Sequence, residues 1–166
     1  MNRRGILRLI AVGLIGFCVI SVALPTGSLA QSNPLIGTWK LNLSKSRFTS
    51  VPAPRNQTLT FAGDGQNITN TSETIDAQGQ TTKVVFIHTY DGMPHPTTGV
   101  PGGLYDATTY NRVDPNTINW VRSKVGKTVQ TGSNVLSADG KTFTVTTIGA
   151  GPNGQQINTV AVFDKQ

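Results

Sequence analysis

Hydrophobic and polar positions along this chain alternate in twos and do not recur every third or fourth residue. Leu35, Gly37, Trp39, Leu41 and Leu43 share one parity, and Ile36, Thr38, Lys40 and Asn42 share the other. Successive side chains of a strand face opposite ways, so this segment reads as a half-buried strand with an assignable inner face. Phe143 and Val145 against Thr142, Thr144 and Thr146 read the same way. Over 81–90 both parities are apolar, with Val84, Phe86, His88 and Tyr90 on one side and Val85 and Ile87 on the other. Over 67–75 both are polar, which predicts a sheet edge or a strand bordering a wet lumen. Turn chemistry punctuates the runs at Gly63-Asp64-Gly65, Asp76–Gly79, Asp91-Gly92, Asp114–Asn116, Val125–Lys127, Asp139-Gly140 and Pro152–Gly154. Such residues supply positive φ or an Asx turn.

Those turns lie 11 to 14 residues apart, with one interval of 23. Even spacing predicts an antiparallel meander of nine strands, at 35–43, 56–62, 67–75, 81–90, 104–113, 117–125, 127–136, 141–148 and 156–164. Closing a meander removes its exposed edges, so the expected fold is all-β, an up-and-down β-barrel of eight to ten strands, with a two-sheet sandwich as the alternative. The long interval holds Asp91 to Gly103, with three prolines and four glycines. That composition is expected to stay out of any ladder and to form either a functional lid or a surface excursion.

Composition changes the picture at the N-terminus. The chain has 166 residues and a formal charge of +6. Arg3, Arg4 and Arg8 precede an apolar run from Leu9 to Leu24, and Ser28-Leu29-Ala30 fits a signal-peptidase site. The run is too short to span a bilayer, so 1–30 reads as a cleaved signal peptide and 31–166 as one domain with no lasting membrane anchor. Three of the fourteen Lys and Arg lie in the leader, leaving eleven against eight acidic residues, a formal +3. So weak a charge gives no case for nucleic acid. Cys18, the only cysteine, also lies in the leader, which excludes a disulfide scaffold, a thiolate nucleophile and a Cys-ligated metal in the domain. The expected location is extracytoplasmic, periplasmic or secreted.

Gly37-Thr38-Trp39-Lys40-Leu41-Asn42, followed by Lys45-Ser46-x-Phe48 and closed by Val160 to Gln166, resembles the calycins. More closely it is similar to small secreted bacterial proteins called lipocalin-like, a group of unsettled function. The resemblance implies a barrel with a central cavity and a structural Trp39 closing its floor. The chain departs from the fatty-acid-binding proteins in lacking room for a helical lid between 44 and 55. It departs from the avidins in having only Trp39 and Trp120, and from the lipocalins in offering Lys165 where they place an arginine.

Candidate chemistry is sparse. His88 and His95, with Asp91 and Asp106, do not match a metal-ligand spacing, and no metal or other cofactor is expected. Glu73 is the only Glu, and five of the seven Asp fall in turns, where capping accounts for them. A triad of His88, Asp106 and Ser123 or Ser133 has no supporting context, so the chain reads as a non-enzyme. Arg112, Arg122, Lys124 and Lys127 gather around Gly126 and read as a solvated hairpin end. Parity offers Phe86, His88, Tyr90, Trp120 and Phe143 as the wall of a ligand site. The expected role is to hold a small, amphipathic or apolar molecule in that barrel. The alternative is an envelope or extracellular interaction module with a filled interior.

Overall fold

The computed structural model describes residues 33–64 and 67–166. The leader read over 1–30, Cys18 within it and the Gly65 turn position lie outside the described residues. Among those described, eleven strands form: β1 (Gly37–Leu41), β2 (Arg47–Thr49), β3 (Asn56–Asp64), β4 (Asn67–Ile75), β5 (Thr81–His88), β6 (Pro94–Pro96), β7 (Ala107–Arg112), β8 (Thr117–Lys124), β9 (Lys127–Leu136), β10 (Thr142–Ala150) and β11 (Gln156–Lys165). All pair antiparallel, in the order β5-β4-β3-β1-β11-β10-β9-β8-β7-β6, with β2 added against β11. First and last strands therefore lie side by side, Trp39 opposite Lys165. The fold is a nearly closed, up-and-down antiparallel barrel, and not a sandwich.

The first strand is shorter than its alternation predicts. After Leu41 the chain leaves the ladder in a single 3-10 turn, Leu43–Lys45, capped by Asn42, and rejoins β11 as β2. Ser46 bridges the interruption: its hydroxyl donates to Asn42 O at 2.7 Å and accepts from Val162 N at 2.9 Å. A hydroxyl thus replaces the missing backbone partner, which satisfies a half-buried amide that would otherwise be costly.

The proline-rich interval does enter the sheet, contrary to expectation. Pro94, His95 and Pro96 pair with Thr109, Thr108 and Ala107 of β7, and Thr97 N donates to Asp106 O at 2.9 Å. Hydrogen-bonded pairs alternate along an antiparallel ladder. Thr97 and His95 therefore direct their N–H groups to β7, while the proline nitrogens face β5, where no donor is lost to β7. Thr98, of the same parity as the prolines, keeps its N–H and makes a reciprocal pair with Val85, at 3.0 and 3.2 Å. That single bridge closes the barrel between β5 and β6.

One end of the barrel is packed solid. Trp39, Phe61, Phe143, Phe163 and Ile68 are at most 1% exposed there. Phe143 sits 5.5 Å from Trp39 and 5.4 Å from Phe61, the latter edge to face. Each buried phenylalanine contributes about 1.5–3 kcal/mol relative to exposure. Trp39 Nε1 donates to Leu35 O at 2.9 Å, and the Lys165 ammonium lies 5.1 Å from the indole centroid. Trp39 is wholly structural by this geometry. β4, polar on both sides, is no edge: it lies between β3 and β5 with Ile68, Asn70 and Ser72 turned inward. Its inward amide and hydroxyls border the open half of the lumen.

Candidate functional site

The half of the barrel opposite the Trp39 plug encloses a cavity of about 380 Å³. Its wall mixes apolar side chains, Leu59, Val84, Phe86, Trp120, Phe143 and Val145, with polar ones from the strands between them, Asn70, Ser72, Thr74, Gln130, Asn134 and Thr147. The mouth is edged by Val51, Pro52, Pro101, Leu104 and Pro152, from the loops that join strands at that end. Much of the polar wall is fixed. Trp120 Nε1 donates to Asn134 Oδ1, Gln57 Nε2 to Ser72 Oγ and Gln130 Nε2 to Ala150 O, at 2.9, 2.9 and 2.7 Å. Asn70 Oδ1 is buried and has no partner.

The arginine assigned to a solvated hairpin by sequence is inside. On β8, Ile118, Trp120 and Arg122 share the inward parity, and the β8–β9 register shifts between Arg122 and Ser123. The Arg122 guanidinium carbon lies 4.3 Å from the Trp120 ring centroid, 4.7 Å from Tyr105 and 5.0 Å from Phe86. Tyr105, read from sequence as part of a strand over 104–113, precedes β7, which begins at Ala107, and stacks on Phe86 at 6.4 Å, so this connecting segment supplies part of the wall. Arg122 Nη1 donates to Gln130 Oε1 at 2.9 Å, whereas Nε is buried without a partner. Its shared parity with Trp120 is the signal that could have found it.

Of the wall residues expected from parity, Phe86, Trp120 and Phe143 line the cavity; His88 and Tyr90 do not. Parity placed His88 on the inner face, but β5 runs from the mouth to the sealed end and His88 is its last residue. It lies under the cavity floor, stacked 3.9 Å from Tyr110 and edge-on to Phe61 at 5.4 Å. Both ring nitrogens are buried and unpaired. Burial lowers its pKa to about 3, with the nearby Arg122 charge acting in the same direction. Burial likewise raises the Tyr110 phenol well above its ordinary range, partly offset by Arg122. Tyr90, beyond β5, carries the Arg112 guanidinium 4.2 Å over its ring.

The other candidates separate. His95 Nε2 bonds to both Asp91 oxygens, at 3.0 and 2.9 Å, and is spent on that pair. The Asp91 carboxyl is held below its usual range by the Met93 amide and by His95. Asp106 accepts from Val125 N and lies 3.8 Å from the Lys124 ammonium, so it is spent on a turn and not aligned with a histidine. Among the described residues no three His, Cys, Asp or Glu side chains cluster as metal ligands would.

No protein-family model matches the sequence. No curated protein matches it either. Among solved structures it is similar to a redesigned β-barrel, mFAP1, bound to DFHBI, at 10% identity and a TM-score of 0.43, over 80% of this chain and 95% of that one. It is also similar to zebrafish ileal bile acid-binding protein complexed with cholic acid, at 11% identity and a TM-score of 0.49, over 80% of this chain and 99% of that one.

Proposed function

We propose that this protein is a non-catalytic binding protein that holds a compact, partly apolar molecule in its barrel cavity. We further propose that it works outside the cytoplasm once the leader read over 1–30 is removed. The observation that carries the reading is the half-filled barrel. A sealed aromatic plug occupies one end, while a lumen of about 380 Å³ remains at the other. Apolar walls with a few convergent polar groups are the usual lining of a small-molecule site. At liquid density such a volume holds on the order of a dozen non-hydrogen atoms. That fits a small amphipathic molecule.

Native mass spectrometry of protein purified from its own host tests both parts at once. The expected result is a chain beginning at Gln31 that carries a co-purified molecule of that size. A ligand at a hundred times its dissociation constant should also raise stability by about 2.7 kcal/mol, readable as a shift in melting temperature. A chain that arrives empty and gains no stability from any compact amphiphile would overturn the binding reading.

A further inference from the structure

We infer that Arg122 is the anchor for a carboxylate, so that the molecule held in the cavity is a compact organic acid. The inference rests on the cavity-binding reading above and adds the chemical class of the occupant. Three observations carry it. First, the guanidinium is caged on its faces by Trp120, Tyr105 and Phe86, at 4.3, 4.7 and 5.0 Å. This leaves only its edges for hydrogen bonding. Second, Gln130 takes one edge through Nη1 and is itself fixed by its bond to Ala150 O, while the buried Nε on the other side has no partner. Third, no carboxylate of the protein answers the charge. Among the described residues the ion pairs are Lys45–Asp164, Lys83–Glu73, His95–Asp91 and Lys124–Asp106. Asp76, the one acidic group on the cavity lining, spends Oδ1 on the amides of Gln78 and Gln80.

A half-buried cation held over aromatic rings is costly to keep without a counter-charge. Coverage of aromatic surface alone would be met by an uncharged chain such as Met or Leu, without leaving Nε stranded. A planar guanidinium with unused N–H donors is suited to receive a carboxylate through charge-assisted bonds. The cage also orients the occupant: with the acid group on Arg122, the apolar body lies along Phe143, Val145 and Leu59, which line the same cavity.

Three probes with one frame and different head groups test this by calorimetry on the processed chain: phenylbutyrate, phenylbutanol and phenylbutylamine. The expected ranking is acid over alcohol over amine, with the acid at least about tenfold tighter than the alcohol, the scale of a charged hydrogen bond. Arg122→Gln should erase the gap between acid and alcohol, and Arg122→Lys should restore part of it. If Arg122→Gln does not fold, the wild-type ranking decides alone, since it needs no variant. Equal binding of acid and alcohol would overturn the anchor and leave the cavity reading standing. Binding of none of the three would overturn the cavity reading, and the anchor with it.

Discussion

His88 shows how far one residue's environment sets its chemistry. Both ring nitrogens are buried without partners, and burial first, then Arg122, lowers its pKa from 6.5 to about 3. Between those values the unfolded chain binds a proton that the native chain refuses. The stability that depends on neutral His88 is therefore complete above pH 6.5 and is lost as pH falls toward 3, at about 1.4 kcal/mol per pH unit. Asp91, Asp114, Asp139 and Asp164 are also held below 3.8, by hydrogen bonds, but they act only at more acidic pH than the interval from 7 to 5. Urea denaturation across that interval should show the slope in the wild type and not in His88→Leu. A leucine variant that keeps the slope would move its origin elsewhere. The inward face of His88 could be read from parity in the sequence, but its depth could not. Parity says which side of a sheet a residue is on, not how far along the barrel axis strand tilt will carry it.

At the level of elements, the β5–β6 seam is the weak line of an otherwise continuous sheet. Pro94 and Pro96 leave Thr98 as the donor to Val85 across it. Native-state hydrogen exchange should find the Val85 and Thr98 amides opening more readily than those of Phe143 to Ile148, which pair on both sides with β9 and β11. Thr98→Pro, which removes the last donor, should cost about 1–3 kcal/mol and extend fast exchange along β5. Protection of Val85 equal to that of Phe143 would refute the weak seam. Elements with strict alternation, such as β10, were legible in the sequence. β6 was not, because whether a proline fits a ladder depends on which side its missing N–H faces, and that is set by the neighbouring strand. Gly132 makes the same point on β9: a Cβ there would meet Thr146 O and the Trp120 ring, so the glycine leaves room for the indole that forms the cavity wall.

Across the whole molecule, stability and binding occupy different halves of one barrel. The plug around Trp39 and Phe143 is packed, and the lumen above it is not. Filling the lumen should therefore remove binding without unfolding the protein. Ala161 of β11 is buried and lines the cavity. Ala161→Phe is expected to weaken phenylbutyrate binding by more than about tenfold while its melting temperature stays at or above that of the wild type, since the new ring enters existing space. Calorimetry and thermal denaturation of the same samples check this. Undiminished binding would place the ligand somewhere other than the lumen.

Alternation and turn spacing alone determined a β-meander, most strand boundaries to within a few residues, and which parity of Trp39, Phe86, Trp120 and Phe143 faces inward, and left barrel and sandwich both open. These are local properties, set by a side-chain period of two and by residues that tolerate turns. Only the tertiary structure decided that the barrel closes, that one end of it is hollow, that His88 lies beneath that hollow, and which rings surround Arg122. Those outcomes depend on strand tilt and register. Together these bring residues as distant in sequence as Phe86, Tyr105, Trp120 and Gln130 around a single guanidinium.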